Sequence, residues 1–365
     1  MNNASIVSVM LITLGLLPAH AVAQAKSEAA KQPTDSAQQT VAEAEPMTVT
    51  GTARATELFT APADVDVLDG KEKQKRQTPS LGGSLDSLPG VSNIGTGSQI
   101  GKPVIRGLSG NRVRIMQNGI GVFHQQFGTR HGPNIEPFFA DRIEVVRGAS
   151  SILYGSDAIG GAVNVISTPV PFAAPGETQL GGEASAGYRS NNNERFGGLR
   201  LNAANGQFGV TGAFLGRDAN NITTADIATF AESGRPGAPK FSDELDNTDF
   251  EQLNGELAGG WLAPFGKVTA RYKHWESEHN FLLPNGKGLG QNLENDLFQT
   301  EAEIALQPGW SVEPSFTWSN NLRQANPGGK TREFLPEEIV LDVERDSYTG
   351  RIELVHEDLD NWLSG

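Results

Sequence analysis

From Glu177 onward, the chain alternates apolar and polar side chains over long stretches. Apolar residues occupy every second position in Lys267–Lys273, and the same period of two recurs in Phe298–Leu306 and Tyr348–Leu354. Successive side chains of a strand point to opposite faces, so each stretch predicts a strand with one apolar and one polar face. The second half of the chain is therefore predicted to form an antiparallel sheet between two different environments.

The connections between these strands alternate in length. A soluble sandwich shares the period of two, but short turns on one side and long loops on the other are typical of outer-membrane β-barrels. Aromatic residues near strand ends, such as Trp261, Phe316 and Trp318, fit the interfacial girdles of such a barrel. The tight turns are Ala204–Gly206, Ala263–Gly266, Gln307–Gly309 and Asp358–Asp360, and the long segments are Arg217–Thr248, Glu276–Asn295 and Asn320–Arg345.

Composition excludes several other classes of protein. The sequence lacks the roughly 18 consecutive apolar residues of a membrane-spanning helix. A net charge of -14 argues against a nucleic-acid partner, and the absence of cysteine excludes disulfides and thiolate metal sites. Common hydrolase, zinc-protease and phosphate-loop motifs are missing from the sequence. We therefore predict neither an enzymatic activity nor a cofactor, and the sequence assigns no metal.

The N-terminal region has the features of an exported chain. Ile6–Leu17 is a short apolar run, and alanines follow it at the spacing of a cleavage site, although no Lys or Arg precedes Lys26. We predict a signal peptide over residues 1–23, cut after Ala23 or Ala25. Residues 24–45 are nearly free of large apolar side chains and predict a flexible tether, since such a segment cannot bury enough surface to fold.

Residues 52–168 predict a compact α+β domain. Short strands are expected at Lys102–Arg106 and Arg112–Gln117, and Asn118-Gly119 predicts a tight hairpin into Ile120–Phe123. Ile143–Ile166 predicts a strand, a turn at Gly148, a helical turn and a return strand.

Three segments of this domain carry a family resemblance. Ile143–Ile166 (IEVVRGASSILYGSDAIGGAVNVI), Val104–Leu108 and Arg112–Gly119 resemble the plug domain of TonB-dependent outer-membrane receptors. The resemblance implies an N-terminal receptor portion in the outer membrane of a Gram-negative bacterium, with the TonB energy-coupling protein and membrane lipid as partners. It implies an α+β plug followed by an antiparallel transmembrane β-barrel over residues 177–365.

That barrel is expected to be incomplete in this chain. The 189 residues from Glu177 to Gly365 hold about eight strands, with a ninth starting at Asn361. A plugged barrel of about 22 strands needs roughly 220 residues for its strands alone.

The resemblance also implies a coupling segment before the plug. Glu45–Gly51 follows the tether, and its extended β-prone sequence suits strand addition to the edge of another protein's sheet. The alternative is an ordinary first strand of the plug. The predicted TonB-coupling residues are Pro46, Met47, Thr48, Val49, Thr50 and Gly51.

A polar loop of the plug is the predicted ligand contact. In the family such apical loops face the ligand, although a plain polar loop is an equal alternative. His274, Glu276, Glu278 and His279 begin a long external segment and are candidate secondary contacts, although a polar loop without a ligand role is the favoured alternative. The predicted ligand-binding residues are His124, Gln125, Gln126, Arg130 and His131.

A set of plug arginines is predicted to form ion pairs with carboxylates of the plug or the barrel wall, because unpaired burial of these charges is costly. A solvated basic face is the alternative. The predicted plug–barrel ion-pair residues are Arg106, Arg112, Arg114, Arg142, Glu144 and Arg147.

We expect energy-coupled import of a scarce ligand, with a ferric siderophore as the first choice. Haem, zinc or copper, and cobalamin are the alternative ligands. A passive porin or adhesin is the alternative class, but neither needs a tether, a coupling segment and a plug before its first strand.

Overall fold

The computed structural model describes residues 48–49, 56–57, 64–122, 128, 131–148, 154–229, 240–282, 288–326 and 339–356. No helix in these ranges is long and apolar enough to span a membrane. Signal-peptide, tether and Asp358–Asp360 predictions lie outside the described residues.

The plug is a mixed α+β unit around a five-stranded sheet. Its strand order is β3-β8-β9-β6-β7, in which β6 and β9 are parallel and the other pairs are antiparallel. A pair formed by β4 and β5 lies beside this sheet, and another is formed by β1 and β2. The elements are β1 (Thr48–Val49), β2 (Thr56–Glu57), β3 (Asp64–Asp69), α1 (Gly70–Arg76), α2 (Leu81–Leu85), β4 (Val91–Ile94), β5 (Lys102–Ile105), β6 (Val113–Gln117), β7 (Ile120–Gly121), β8 (Ala140–Arg147) and β9 (Gly161–Ser167).

The plug core is apolar and continuous between its sheet and α2. Leu81 and Leu85 of α2 pack with Ile105, Ile143 and Val163, all of which are completely buried. The predicted hairpin at Asn118-Gly119 is confirmed, because φ is 50° at Asn118 and 76° at Gly119, as a tight two-residue turn requires.

The second half of the chain forms one antiparallel sheet of eight strands. Each strand pairs with the next in the order β10-β11-β12-β15-β16-β17-β18-β19, while β13 and β14 form a separate hairpin after β12. The first and last strands pair on one side only, so this sheet is open within the described residues. The strands are β10 (Thr178–Arg189), β11 (Glu194–Asn205), β12 (Phe208–Ala219), β13 (Ile222–Thr229), β14 (Lys240–Leu245), β15 (Phe250–Ala263), β16 (Gly266–Leu282), β17 (Gly288–Gln307), β18 (Trp310–Asn326) and β19 (Leu341–His356).

The two faces of this sheet differ as the alternation predicts. On the outer face, the paired residues Leu257, Tyr272, Phe298, Trp318 and Tyr348 form an apolar row. On the inner face, the neighbouring row is mostly polar and is buried except for the half-buried Arg271. It runs through Thr211, Ala258, Arg271, Gln299 and Thr317. The outer row suits lipid, and the inner row contacts the plug.

All three predicted long loops contain strand residues. Arg217–Thr248 includes the end of β12 and the β13–β14 hairpin, and Asn320–Arg345 includes the end of β18 and the start of β19. Glu276–Asn295 was expected to be a long loop, but β16 continues to Leu282 and β17 resumes at Gly288. Beyond the apolar row both faces of these strands carry polar side chains, such as Glu276 outside and Ser277 inside. The strand therefore continues after the period of two in hydrophobicity has ended.

Candidate functional site

The plug is fastened to the sheet through one fully buried ion pair. Glu136 accepts two hydrogen bonds from the Arg217 guanidinium of β12, at 3.0 Å from Nε and 2.9 Å from Nη2. The remaining Nη1 of Arg217 donates to Glu194 of β11 at 3.0 Å. Gln252 of β15 also donates to Glu136, at 3.2 Å, and the Phe138 N–H does so at 3.0 Å. This parallel, two-bond geometry fixes the plug carboxylate against three strands.

Aromatic rings complete this contact. The Arg189 and Arg217 guanidinium groups lie 5.0 and 4.9 Å from the centre of the Phe196 ring. Arg200 lies 5.1 Å from the Phe138 ring and donates to the Phe138 carbonyl at 2.7 Å. The rings give these cations a further favourable interaction beside the buried ion pair.

Other wall side chains bind plug carbonyl or polar groups. Arg189 donates to the Gln77 carbonyl at 2.5 Å, and Arg271 donates to the Thr168 carbonyl at 2.6 Å. Lys273 donates to the Ser167 hydroxyl at 2.8 Å. Arg271 and Lys273 also pair with Glu256 on the wall itself. The wall therefore presents mainly donors, and the plug presents mainly acceptors.

The plug arginines from the sequence analysis bind acids of the plug. Arg106 and Arg147 both pair with Asp64, at 2.6 and 2.8 Å. Arg142 pairs with Glu144 at 3.0 Å.

Two further arginines of that set lie at other places in the plug. Arg114 pairs with Asp157 at 3.2 Å. Arg112 is exposed, and its carbonyl accepts a hydrogen bond from Gly160 at 2.7 Å. In the described part of the chain, the plug–barrel ion pair is Glu136 with Arg217, and neither residue is in the predicted set. The period of two in the sequence could have indicated that wall arginines face the plug, because Arg200, Arg217 and Arg271 occupy polar-face positions of their strands.

Of the predicted ligand-binding residues, His124, Gln125, Gln126 and Arg130 lie outside the described residues. The His131 Nδ1 accepts a hydrogen bond from the Gly128 N–H at 3.3 Å.

Lys102 donates to the Gly128 carbonyl at 2.6 Å, and burial lowers the pKa of its ammonium group. The Lys102 contact therefore joins Gly128 to β5 of the plug, whereas the His131 contact lies within the loop.

The predicted secondary contacts separate onto the two faces of β16. His279 faces inward and lines a cavity of about 20 Å³ together with His131, Trp275 and Arg323. His274 faces outward and contacts Asp296 at 2.8 Å and Glu276 at 3.6 Å. Glu276 and Glu278 also belong to the outer face, so only His279 of these four is beside the plug.

The predicted TonB-coupling segment is described at two positions. Thr48 and Val49 pair antiparallel with Glu57 and Thr56. Pro46, Met47, Thr50 and Gly51 lie outside the described residues. The pairing shows that the backbone of this segment is compatible with a β-strand.

Comparison with known proteins identifies the family of the plug. Residues 57–162 match the family model of the TonB-dependent receptor plug domain. The plug of this chain is therefore a TonB-dependent receptor plug domain, and its curated relatives are proteins of the Gram-negative outer membrane.

Two curated relatives match over about a third of this chain. The vitamin B12 transporter BtuB of Photobacterium profundum is 31% identical over 128 residues, or 35% of this chain and 21% of that transporter. The iron-regulated outer membrane virulence protein of Vibrio cholerae is 36% identical over 143 residues, or 37% of this chain and 22% of that protein. Each match thus spans about a fifth of the relative's length.

Solved structures confirm the predicted fold class. The copper transporter OprC superposes with a TM-score of 0.59 at 17% identity, covering 80% of this chain and 43% of that chain. The pyoverdine receptor FpvA of Pseudomonas aeruginosa superposes with a TM-score of 0.51 at 13% identity, covering 85% and 56%. The chain is an α+β plug with the first part of an antiparallel barrel.

Proposed function

We propose that this receptor imports a scarce extracellular ligand across the outer membrane, with energy supplied through the TonB protein. The observation that carries the proposal is the plug that lies against the inner face of the sheet and is fastened by Glu136 and Arg217. A plug held by a buried ion pair blocks passive flow, so passage requires work on the plug. A passive porin has no use for such a domain.

A ferric siderophore is the proposed ligand. The names of the relatives support a metal complex as cargo, since they include a vitamin B12 transporter, an iron-regulated protein and a pyoverdine receptor. We assign the ligand contact to His124, Gln125, Gln126, Arg130 and His131. Haem, zinc or copper, and cobalamin are the competing ligands.

Growth of a deletion strain tests the choice of ligand. Under iron starvation with ferric siderophores as the iron source, we expect slower growth of the deletion strain than of the parent. Starvation for zinc or copper, or dependence on cobalamin, should leave the two strains equal. A defect confined to zinc, copper or cobalamin would replace the siderophore with that ligand.

The coupling role of residues 46–51 is tested at Val49. Val49→Pro in the intact receptor removes a backbone donor from a segment proposed to act by strand pairing. We expect uptake to fall more than tenfold while surface binding of the ligand is unchanged. Val49→Thr keeps the donor and should transport normally. Wild-type uptake by Val49→Pro would move the coupling segment elsewhere, and a loss of binding would mark Val49 as part of the plug fold.

A further inference from the structure

A small polar cavity lies between the plug and the wall, away from the Glu136 contact. We call it the plug–wall cavity, and its volume is about 20 Å³. The plug side is formed by residues 131–134 with Gln99 and Ile100, and the wall side includes Trp275 and His279 of β16 and Arg323 of β18. These three wall side chains are only 8%, 6% and 4% exposed.

The cavity contains buried hydrogen-bond donors that lack acceptors. Within the described part of the chain, the Nε of Arg323 and the Nε1 of Trp275 have no hydrogen-bond partner. The Nε2 of His279 also has none, while its Nδ1 lies 3.1 Å from the Ser277 hydroxyl. The opposing group is the Oε1 of Gln99, an acceptor that is likewise unpaired among these residues.

The charge of Arg323 is not balanced by a neighbouring acid. Its Nη2 donates to the neutral Oε1 of Gln291 at 2.6 Å, and no ion pair joins Arg323 to a carboxylate of the described residues. A buried guanidinium without a counterion is strongly unfavourable, and a water molecule satisfies its N–H groups but not its charge.

We propose that the plug–wall cavity binds a single anionic acceptor atom, supplied by a halide ion or by one carboxylate oxygen of the transported chelate. The volume suits one group of about the size of a water molecule. Guanidinium Nε–H and indole Nε1–H are fixed donors, and the imidazole Nε2 of His279 can also donate. The carboxylate source rests on the proposed import function, whereas the halide source is independent of it.

The site would connect the wall to the predicted ligand loop. Residues 131–134 of the plug line the same cavity as Arg323 of β18. An anion in the cavity would therefore interact with both the plug segment and β18.

Bromide titration of the purified intact receptor, without any chelate, tests the proposal. Bromide quenches the fluorescence of a tryptophan that it contacts. Subtracting the emission of Trp275→Phe from that of wild type gives the fluorescence of Trp275 alone. At constant ionic strength we expect quenching that saturates, with a dissociation constant at least tenfold higher in Arg323→Met. Arg195→Gln removes an exposed cation of β11 and should leave the constant unchanged.

Formate distinguishes the two sources. If formate raises the apparent bromide constant, a carboxylate oxygen fits the cavity, and if it has no effect, the site is restricted to halides. Arg323→Lys keeps the charge but loses Nε, so it should bind with an intermediate constant and provides a second variant if Arg323→Met does not fold. Quenching that is linear in bromide and equal in wild type and the Arg323 variants would overturn the proposal in favour of a water-filled cavity.

Discussion

Arg217 has no exposed side-chain surface, so its contribution to stability depends on the carboxylates that surround it. Its side chain and those of Glu136 and Glu194 are 0% exposed. Taking these charges out of water costs several kcal/mol for each ion, and the two-bond pairing with Glu136 offsets that cost. The pair is therefore less a source of net stability than a requirement for the plug to occupy this one position.

Glu136→Gln tests this requirement. The amide is neutral, so Glu194 alone would face both Arg189 and Arg217, and we expect the free energy of unfolding of the plug to fall by about 3 kcal/mol. Calorimetry of the intact receptor measures the change. Glu72→Gln, on exposed α1, removes one carboxylate that pairs with Lys75 and should leave the plug transition in place. An equal decrease in the free energy of unfolding in both variants would show that the burial of Glu136 is unimportant.

Lys102 predicts a pH dependence of plug stability. Burial lowers the pKa of its ammonium below the ordinary value of 10.5. Between the lowered pKa and 10.5 the unfolded chain binds a proton that the folded plug does not, so the free energy of unfolding rises with pH. The stability of wild type minus that of Lys102→Met should therefore increase from neutral pH to 10.5. Thermal melts of both proteins across this pH range measure the difference in stability. A difference that stays constant with pH would contradict the prediction.

At the scale of elements, the sequence was informative where backbone geometry restricts residue type. Asn118-Gly119 identified the β6–β7 hairpin because both positions need positive φ. The period of two located the eight-stranded sheet because one face meets lipid. The Glu136–Arg217 pair could not be predicted in the same way, because it joins residues 81 positions apart and depends on how the plug lies against the sheet.

Gly161 is a position in the plug sheet where a side chain would collide with the backbone of the neighbouring strand. Its φ is 140°, and an added Cβ would lie 2.3 Å from the Val146 carbonyl oxygen on the paired strand β8. We expect Gly161→Ala to destabilise the plug by about 4 kcal/mol or more. Gly176→Ala also has positive φ, 84°, but its Cβ would meet open space, so it should cost only about 1 kcal/mol.

Protease resistance of the receptor in outer membranes separates these two variants. The plug of Gly161→Ala should be digested under conditions in which wild type and Gly176→Ala survive. Similar resistance in both variants would mean that β8 and β9 can separate enough to accept the methyl group.

At the scale of the molecule, the eight strands form a sheet with two free edges. β10 pairs only with β11 and β19 only with β18, so each has one side of its backbone without a strand partner in the described residues. Apolar side chains such as Leu180, Ile352 and Leu354 are exposed on these two edge strands. An open edge in lipid leaves backbone N–H and C=O groups unsatisfied, at several kcal/mol for each group.

We therefore expect residues 1–365, expressed alone, not to form a heat-stable closed barrel. Closed outer-membrane barrels run faster on a denaturing gel before boiling than after it, because the barrel resists the detergent until it is heated. The isolated segment, extracted from outer membranes, should run at one position under both conditions, whereas the intact receptor should shift. A heat-dependent shift of a monomeric 1–365 segment would show that β10 and β19 can be satisfied within this chain.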